Sequence, residues 1–147
     1  MINAKTSNEY EQLTVFSQRM LPAAPYPRKY VHSVFDDLQS AVQAVHTLRA
    51  AGYDAGDISL MASWDFVEAV ESQSQQHSRF SEALMYILSF VDDGFDVYLR
   101  EARRGRHILA VRLSRYEQIA QARDLLAPHQ AYLVKYIDTW TVADLSA

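Results

Sequence analysis

Apolar positions in this chain fall into two similar phrases. In the first, YVHSVF alternates between faces as a strand does, DLQSAVQAVHTLRAAGY carries apolar residues at helical spacing, and DISLM returns to strand character. A fainter copy follows near the C-terminus as HILAVRL, SRYEQIAQARDLLAPHQ and AYLVKYI. At the offset between them Val42 falls on Ile119, Val45 on Ala122 and Leu48 on Leu125, so the two helices share one buried stripe pattern. Leu38 and Ala41 complete the stripe of the first helix, Asp37 is placed to cap its start and Gly52 to end it, and Ser114 takes the place of Asp37 in the second. Two strand–helix–strand units in one small chain predict an α+β fold of the ferredoxin-like split βαβ type. This is a four-stranded antiparallel sheet with both repeat helices on one face and the two first strands adjacent at its centre.

The flanking patterns add helices. From Asn8 or Glu9 to Leu21, the residues Tyr10, Leu13, Phe16 and Met20 recur at steps of three and four as one apolar stripe, with Ser7 or Asn8 as cap. PAAPYP follows, and its three prolines in six residues forbid a helix and favour a stiff connector. Residues 1–28 therefore read as a helical arm on a strut, laid on its own core or on a neighbouring subunit. Residues 29–147 read as one domain, with a helical insertion at about 63–105. The insertion predicts three helices. The first carries Trp64, Val67 and Val70 behind Ser63, and the second carries Phe80, Leu84, Ile87, Leu88 and Val91. The third has Phe95, Tyr98, Leu99 and Ala102 and is ended by Gly105. The tail, 139–147, reads as a strand extension or a turn anchored by Trp140.

At 147 residues the chain is long enough to bury a core as one domain. Eighteen acidic against fourteen basic residues give a net charge of -4, which speaks against a general nucleic-acid binder. Zero cysteine removes disulfide and thiolate chemistry and fits a reducing compartment. The opening MINAKTSNEYEQ has no apolar core of signal-peptide type, and no run approaches the roughly 18 apolar residues of a membrane span. The expectation is a soluble cytoplasmic protein with no membrane partner.

The phrase HSVFDDLQSAVQAVHTLRAAGYDAGDISLMA resembles the opening of the bacterial general stress (heat-induced stress) protein family, and DVYLREARRGRHILAVRL with the helix after it is similar to that family's closing part. The likeness covers roughly residues 30–62 and 96–137. Many relatives carry a long Gly/Ala-rich middle segment, whereas this chain has ordinary amphipathic helices there. The resemblance implies a stress-associated bacterial protein with a ferredoxin-like domain. It supplies no catalytic residues.

Candidate chemistry is sparse. Asp36 and Asp37 are adjacent carboxylates at the end of a central strand, suited to a metal or a general base and equally to helix capping. The histidines at 32, 46, 77, 107 and 129 form no HExxH or HxH pattern, although His32 and His107 occupy central strands. There is no GxSxG elbow, and four glycines in all make a phosphate-cradling loop or a dinucleotide cofactor an unsuitable reading. Arg100, Arg103, Arg104 and Arg106 make a basic knot suited to a phosphate or an acidic partner, or to the end of a helix. The sheet face away from the repeat helices is the richest surface. With Val31 and Phe35 turned to those helices, Tyr30, His32, Val34, Ile108, Arg112, Tyr132 and Tyr136 line the other side. Tyr30, His32, Asp36, Arg112, Tyr132 and Tyr136 are thus the candidate ligand-binding residues. The aromatic signature of RNA-binding strands is absent, and covering of this face by the inserted helices, by the arm or by another protein is the leading expectation. No metal, no cofactor and no catalytic residue is predicted. The sequence points to a non-enzymatic binding or assembly module, a homodimer through the arm or the sheet. A ligand-binding sensor domain comes next, and a small dimeric enzyme using His32 or Asp36 as base comes third.

Overall fold

The computed structural model describes residues 4–20, 29–71, 94–137 and 142–145. Helix α1 (Ala4–Met20) precedes strand β1 (Lys29–Phe35), helix α2 (Leu38–Ala50), a 3-10 turn (Ala55–Asp57) and strand β2 (Ile58–Met61). Helices α3 (Ser63–Glu71) and α4 (Gly94–Arg103) follow. Strand β3 (His107–Leu113), helix α5 (Gln118–Leu126), a second 3-10 turn (Ala127–His129), strand β4 (Tyr132–Ile137) and strand β5 (Val142–Asp144) complete the chain. The expected helix carrying Phe80 to Val91, the PAAPYP connector and Trp140 lie outside the described residues, as do the side chains of Leu13, Phe16 and Met20.

The strands form one antiparallel sheet in the order β2-β3-β1-β4-β5. Among the described residues five strands stand where four were expected, because the tail supplies β5, which pairs with β4 at Lys135↔Asp144, Tyr136↔Ala143 and Ile137↔Val142. β1 is central and pairs along its whole length with β3, from Lys29↔Leu113 to Phe35↔His107. Residues directly opposite in an antiparallel pair share a face. One face therefore presents Tyr30 with Arg112, His32 with Ala110 and Val34 with Ile108, and the other presents Val31, Ser33 and Phe35.

Strand β4 departs from simple alternation. It meets β1 at Val34↔Tyr132 but at His32↔Lys135 and Val31↔Tyr136, with a register shift between His32 and Val34 and a positive φ at Leu133. An extra residue in one strand turns every later side chain to the opposite face. Tyr132 thus stays on the His32 face, while Tyr136, expected there too, is turned to the Val31 face and packs against Tyr116.

The two repeat helices pack on each other and on β1 and β3. The stripe foreseen for α2 is buried in full: Leu38, Ala41, Val42, Val45 and Leu48. Asp37 caps it, accepting from Gln39 N at 3.2 Å. Its other end closes with Gly52 at φ 104, where Tyr53 N bonds Leu48 O and Gly52 N bonds Arg49 O. α5 starts later than its sequence suggests. Residues 114–117 form a turn whose Ser114 and Arg115 amides donate to the Gln118 side chain, and the cap position falls to Glu117, which makes no side-chain cap bond.

The remaining helices cover the sheet. α1 begins earlier than expected and seats on its own chain: the buried Tyr10 hydroxyl accepts from Ala62 N at 3.0 Å and donates to Asp65. α3 and α4 pack together, and α4 lays Tyr98 on the ring of His32, so it roofs the face opposite the repeat helices. It ends as α2 does, with Gly105 at φ 87, Arg106 N bonded to Glu101 O and Gly105 N to Ala102 O. A Cβ at Gly105 would meet nothing within 4 Å, so the cost of alanine there is conformational. Gly105→Ala is expected to lower the unfolding free energy by about 1–2 kcal/mol, seen as an earlier urea midpoint at unchanged m-value. An unchanged midpoint would show that the left-handed turn does not hold the end of α4.

Candidate functional site

The sequence candidates divide according to the sheet register. Continuing the β1–β3 pairing one step past Phe35↔His107 sets Asp36 opposite Arg106. Arg106 Nε donates to Asp36 Oδ1 at 2.8 Å and Nη1 to Glu101 Oε2 at 2.6 Å. The Tyr132 hydroxyl donates to the same two carboxylates, at 2.9 Å to Asp36 and 3.3 Å to Glu101. The guanidinium also stands over the Tyr132 ring, 5.9 Å from its centroid. Glu101, at 11% side-chain exposure, is the buried member and Asp36, at 71%, the open one. Arg104 lies 3.9 Å from Glu101 on the solvent side, so two carboxylates face two guanidinium groups.

This cluster absorbs residues named separately in the sequence. Asp36 serves as acceptor for Arg106 and Tyr132, while its neighbour Asp37 does the capping. The basic knot disperses: Arg106 and Arg104 turn to Glu101, Arg103 reaches Glu71 at 3.2 Å, and Arg100 is exposed. Glu101 was missed by sequence reasoning, and a signal for it existed. In a helix ended by a left-handed glycine, the residue after the glycine returns to the one four positions before it, usually as an apolar contact. Here the positions are Arg106 and Glu101, and the contact is an ion pair.

Beneath α4 the face becomes dry. His32 and Tyr98 are buried, their ring centroids 5.5 Å apart and nearly perpendicular, with Tyr30 5.8 Å from His32 on the other side. Among the described residues neither imidazole nitrogen of His32 has a hydrogen-bond partner, nor has the Tyr98 hydroxyl. Such groups are uncommon in folded proteins, because each costs its desolvation. Burial lowers the His32 pKa to about 3, so the ring is neutral. Burial likewise pushes the Tyr98 phenol up. At Tyr132 burial again leads the rise, aided by the hydrogen bond to Asp36 and the nearby carboxylate charges and opposed by Arg106.

The other candidates stand apart. Arg112 is on the same face but at its far end, where Nε and Nη2 grip Asp57 Oδ1 at 3.0 and 2.7 Å. His107 lies on the opposite face from His32, and its Nδ1 accepts from Ser63 N at 3.0 Å at the start of α3. Burial lowers its pKa, against the charge of Asp37. His46 meets Glu9 and His129 meets Thr47, at 3.4 and 2.8 Å, and His77 is outside the described residues. Among the described residues no three His, Cys, Asp or Glu side chains gather as a metal site, and no helix is long and apolar enough to cross a membrane.

Comparison with family models, with curated proteins and with solved structures finds no match for this chain.

His32 generates a pH signature. Its pKa is lowered on folding, so the unfolded chain takes up a proton below its ordinary 6.5 while the folded chain does not until about 3. This contribution is full above pH 6.5 and is lost as pH falls towards 3, with a slope of up to about 1.4 kcal/mol per pH unit. Urea unfolding across that window is expected to show the slope, and His32→Phe to flatten it. Equal slopes in the two proteins would mean that His32 accepts a proton in the folded state.

Proposed function

We propose that this chain is a non-enzymatic, stress-associated bacterial protein of ferredoxin-like architecture that acts in the cytoplasm by binding and self-assembly. The observation that carries the reading is the commitment of its reactive groups to one another. Asp36, Glu101, Arg106 and Tyr132 form one connected set of ion pairs and hydrogen bonds, with Asp36 at its exposed edge. The neutral His32 lies under Tyr98, out of solvent's reach. A general base needs a substrate proton within hydrogen-bonding reach, and groups saturated by neighbours or roofed by a helix serve structure first.

The ferredoxin-like reading is supported by the order β2-β3-β1-β4, by antiparallel pairing throughout and by the packing of α2 on α5, with β5 as an addition at one edge. The stress-protein reading rests on the resemblance of the phrase from His32 to Ala62, where Asp37 caps α2 and Gly52 ends it.

Self-assembly is read from α1. The helix is held by a key, Tyr10 in the β2–α3 junction, and is joined to β1 through PAAPYP. The same contact made between two copies gives a dimer by exchange of α1, a low-cost route because it uses existing complementarity. A ligand-binding sensor is the second reading, favoured by the unpartnered His32 and Tyr98 on one buried face.

Size-exclusion chromatography with light scattering is expected to give a mass of about 34 kDa, twice the 16.8 kDa of one chain, at micromolar concentration. Tyr10→Ala is expected to return the monomer with its circular dichroism retained. A wild-type mass of 16.8 kDa across that range would remove self-assembly from the proposed role.

A further inference from the structure

We propose that His107 is a proton-operated latch on α1: as a neutral ring it holds the seat of that helix, and a proton on its Nδ1 releases the helix. The latch goes beyond the assembly reading, since it acts on the seat whichever copy of the chain supplies α1.

The seat is the junction of β2 and α3, where consecutive residues are held by two side chains from elsewhere. Ala62 N donates to the Tyr10 hydroxyl at 3.0 Å, and that hydroxyl donates to Asp65. Ser63 N donates to His107 Nδ1, also at 3.0 Å. The Trp64 ring stands nearly perpendicular to both, its centroid 6.0 Å from that of Tyr10 and 5.9 Å from that of His107. Tyr10, Ala62, Ser63 and His107 are all buried. Among the described side chains of α1 the buried ones are Thr6 and Tyr10, so the helix is keyed into this junction. A shift of residues 62–65 that frees Ser63 also withdraws the amide and the carboxylate that hold Tyr10.

A backbone amide can only donate, so His107 presents a lone pair at Nδ1 and carries its hydrogen on Nε2. Protonation sets a second donor against the first, at the start of α3, where positive charge is disfavoured. The surroundings fix the sign of the response. Phe35 of β1 lies opposite the ring, and Asp37, at the start of α2, is the charged group that favours the proton. Asp65 of α3 is engaged by Tyr10, and Arg106, next in sequence, turns away to Asp36 and Glu101. Burial outweighs Asp37 and holds the His107 pKa below its ordinary 6.5. With the junction open the ring regains that ordinary value, so the seat is full above pH 6.5 and weakens as pH falls below it. His46 of α2 pulls the other way, because its proton attracts Glu9 of α1 at 3.4 Å. That pair is partly exposed and contributes little.

The test follows hydrogen exchange of the α1 and sheet amides in the full chain as pH is lowered through the histidine range. Rates are corrected for intrinsic exchange and taken where they track the opening equilibrium. Opening of α1 is expected to rise below pH 6.5, by up to about tenfold per pH unit for the one proton involved, while β1 and β3 keep their protection. His107→Asn keeps an acceptor that does not titrate, and is expected to hold α1 across the whole range. His107→Phe keeps none, and is expected to leave α1 open at every pH. If either variant fails to fold, the comparison of α1 with the sheet in the unaltered chain decides. Protection of α1 that is indifferent to pH, that falls in step with the sheet, or that keeps its pH dependence in His107→Asn would overturn the latch. The mass of the same samples judges assembly separately: a pH-dependent α1 in a 16.8 kDa monomer keeps the latch and removes the dimer.

Discussion

Strand β1 has no free side. Its edges are taken by β3 and β4, one face lies towards the packed repeat helices, and the other lies under α4. Whatever Lys29–Phe35 carries must therefore be apolar or uncharged, apart from its half-buried first residue. Most of the segment complies through Val31, Val34 and Phe35. Two residues do not, and their fate follows from the same constraint. Ser33 is buried on one face and His32 on the other, both without hydrogen-bond partners, and His32 is held neutral by desolvation alone. A surface strand would have left both groups to water. Here the position in the sheet sets the protonation state.

The charged cluster obeys the opposite rule. Past Phe35 the strand leaves the covered part of the sheet, and the next residue on the His32 face is Asp36, largely exposed. The C-terminal turn of α4 delivers Glu101 and Arg106 to the same place because a left-handed Gly105 folds the chain back on its last helical turn. Burial grades across the cluster, from Glu101 inside to Asp36 outside, and Arg106 spans the gradient. Exposed ion pairs contribute little on their own, since water competes and salt screens them. The stronger member is therefore Arg106 with Glu101, whose carboxylate is kept from water and receives hydrogen bonds from both guanidinium and phenol.

Much of this frame was legible in the sequence, and the misses have identifiable causes. YVHSVF, HILAVRL and YLVKYI were readable as strands because their alternation or apolar density spans six or seven residues, and the α2 stripe because it repeats over three turns. β5 stayed open between a strand extension and a turn, because three residues are too few to show a period, and Val142–Asp144 owes its conformation to pairing with β4. Tyr136 was assigned to the wrong face because strict alternation cannot anticipate a bulge, and positive φ at Leu133, a residue with no preference for it, leaves no mark in composition. Ser114 is not at the cap because residues 114–117 form a turn, its amide held by the Gln118 side chain, and the helix begins only at Gln118. In the candidate site, Asp36, Arg106 and Tyr132 were each visible as residues. Their meeting was not, since it depends on the β1–β3 register and on the strand order that brings β4 beside β1.

The two halves of the α4 face are joined by one helix, so neither is covered without the other. Tyr98 and Glu101 are three residues apart, so they lie on one side of α4 and reach the sheet at neighbouring points, one dry and one ionic. Tyr98 shields His32 only while α4 lies flat, and Glu101 keeps its partners only under the same condition. Lifting the helix would hydrate the polar atoms of the imidazole and the phenol but expose two buried rings, and would separate a buried carboxylate from its guanidinium. The closed state is therefore held from both ends, by burial of the rings at the dry end and by the Glu101–Arg106 pair at the ionic end.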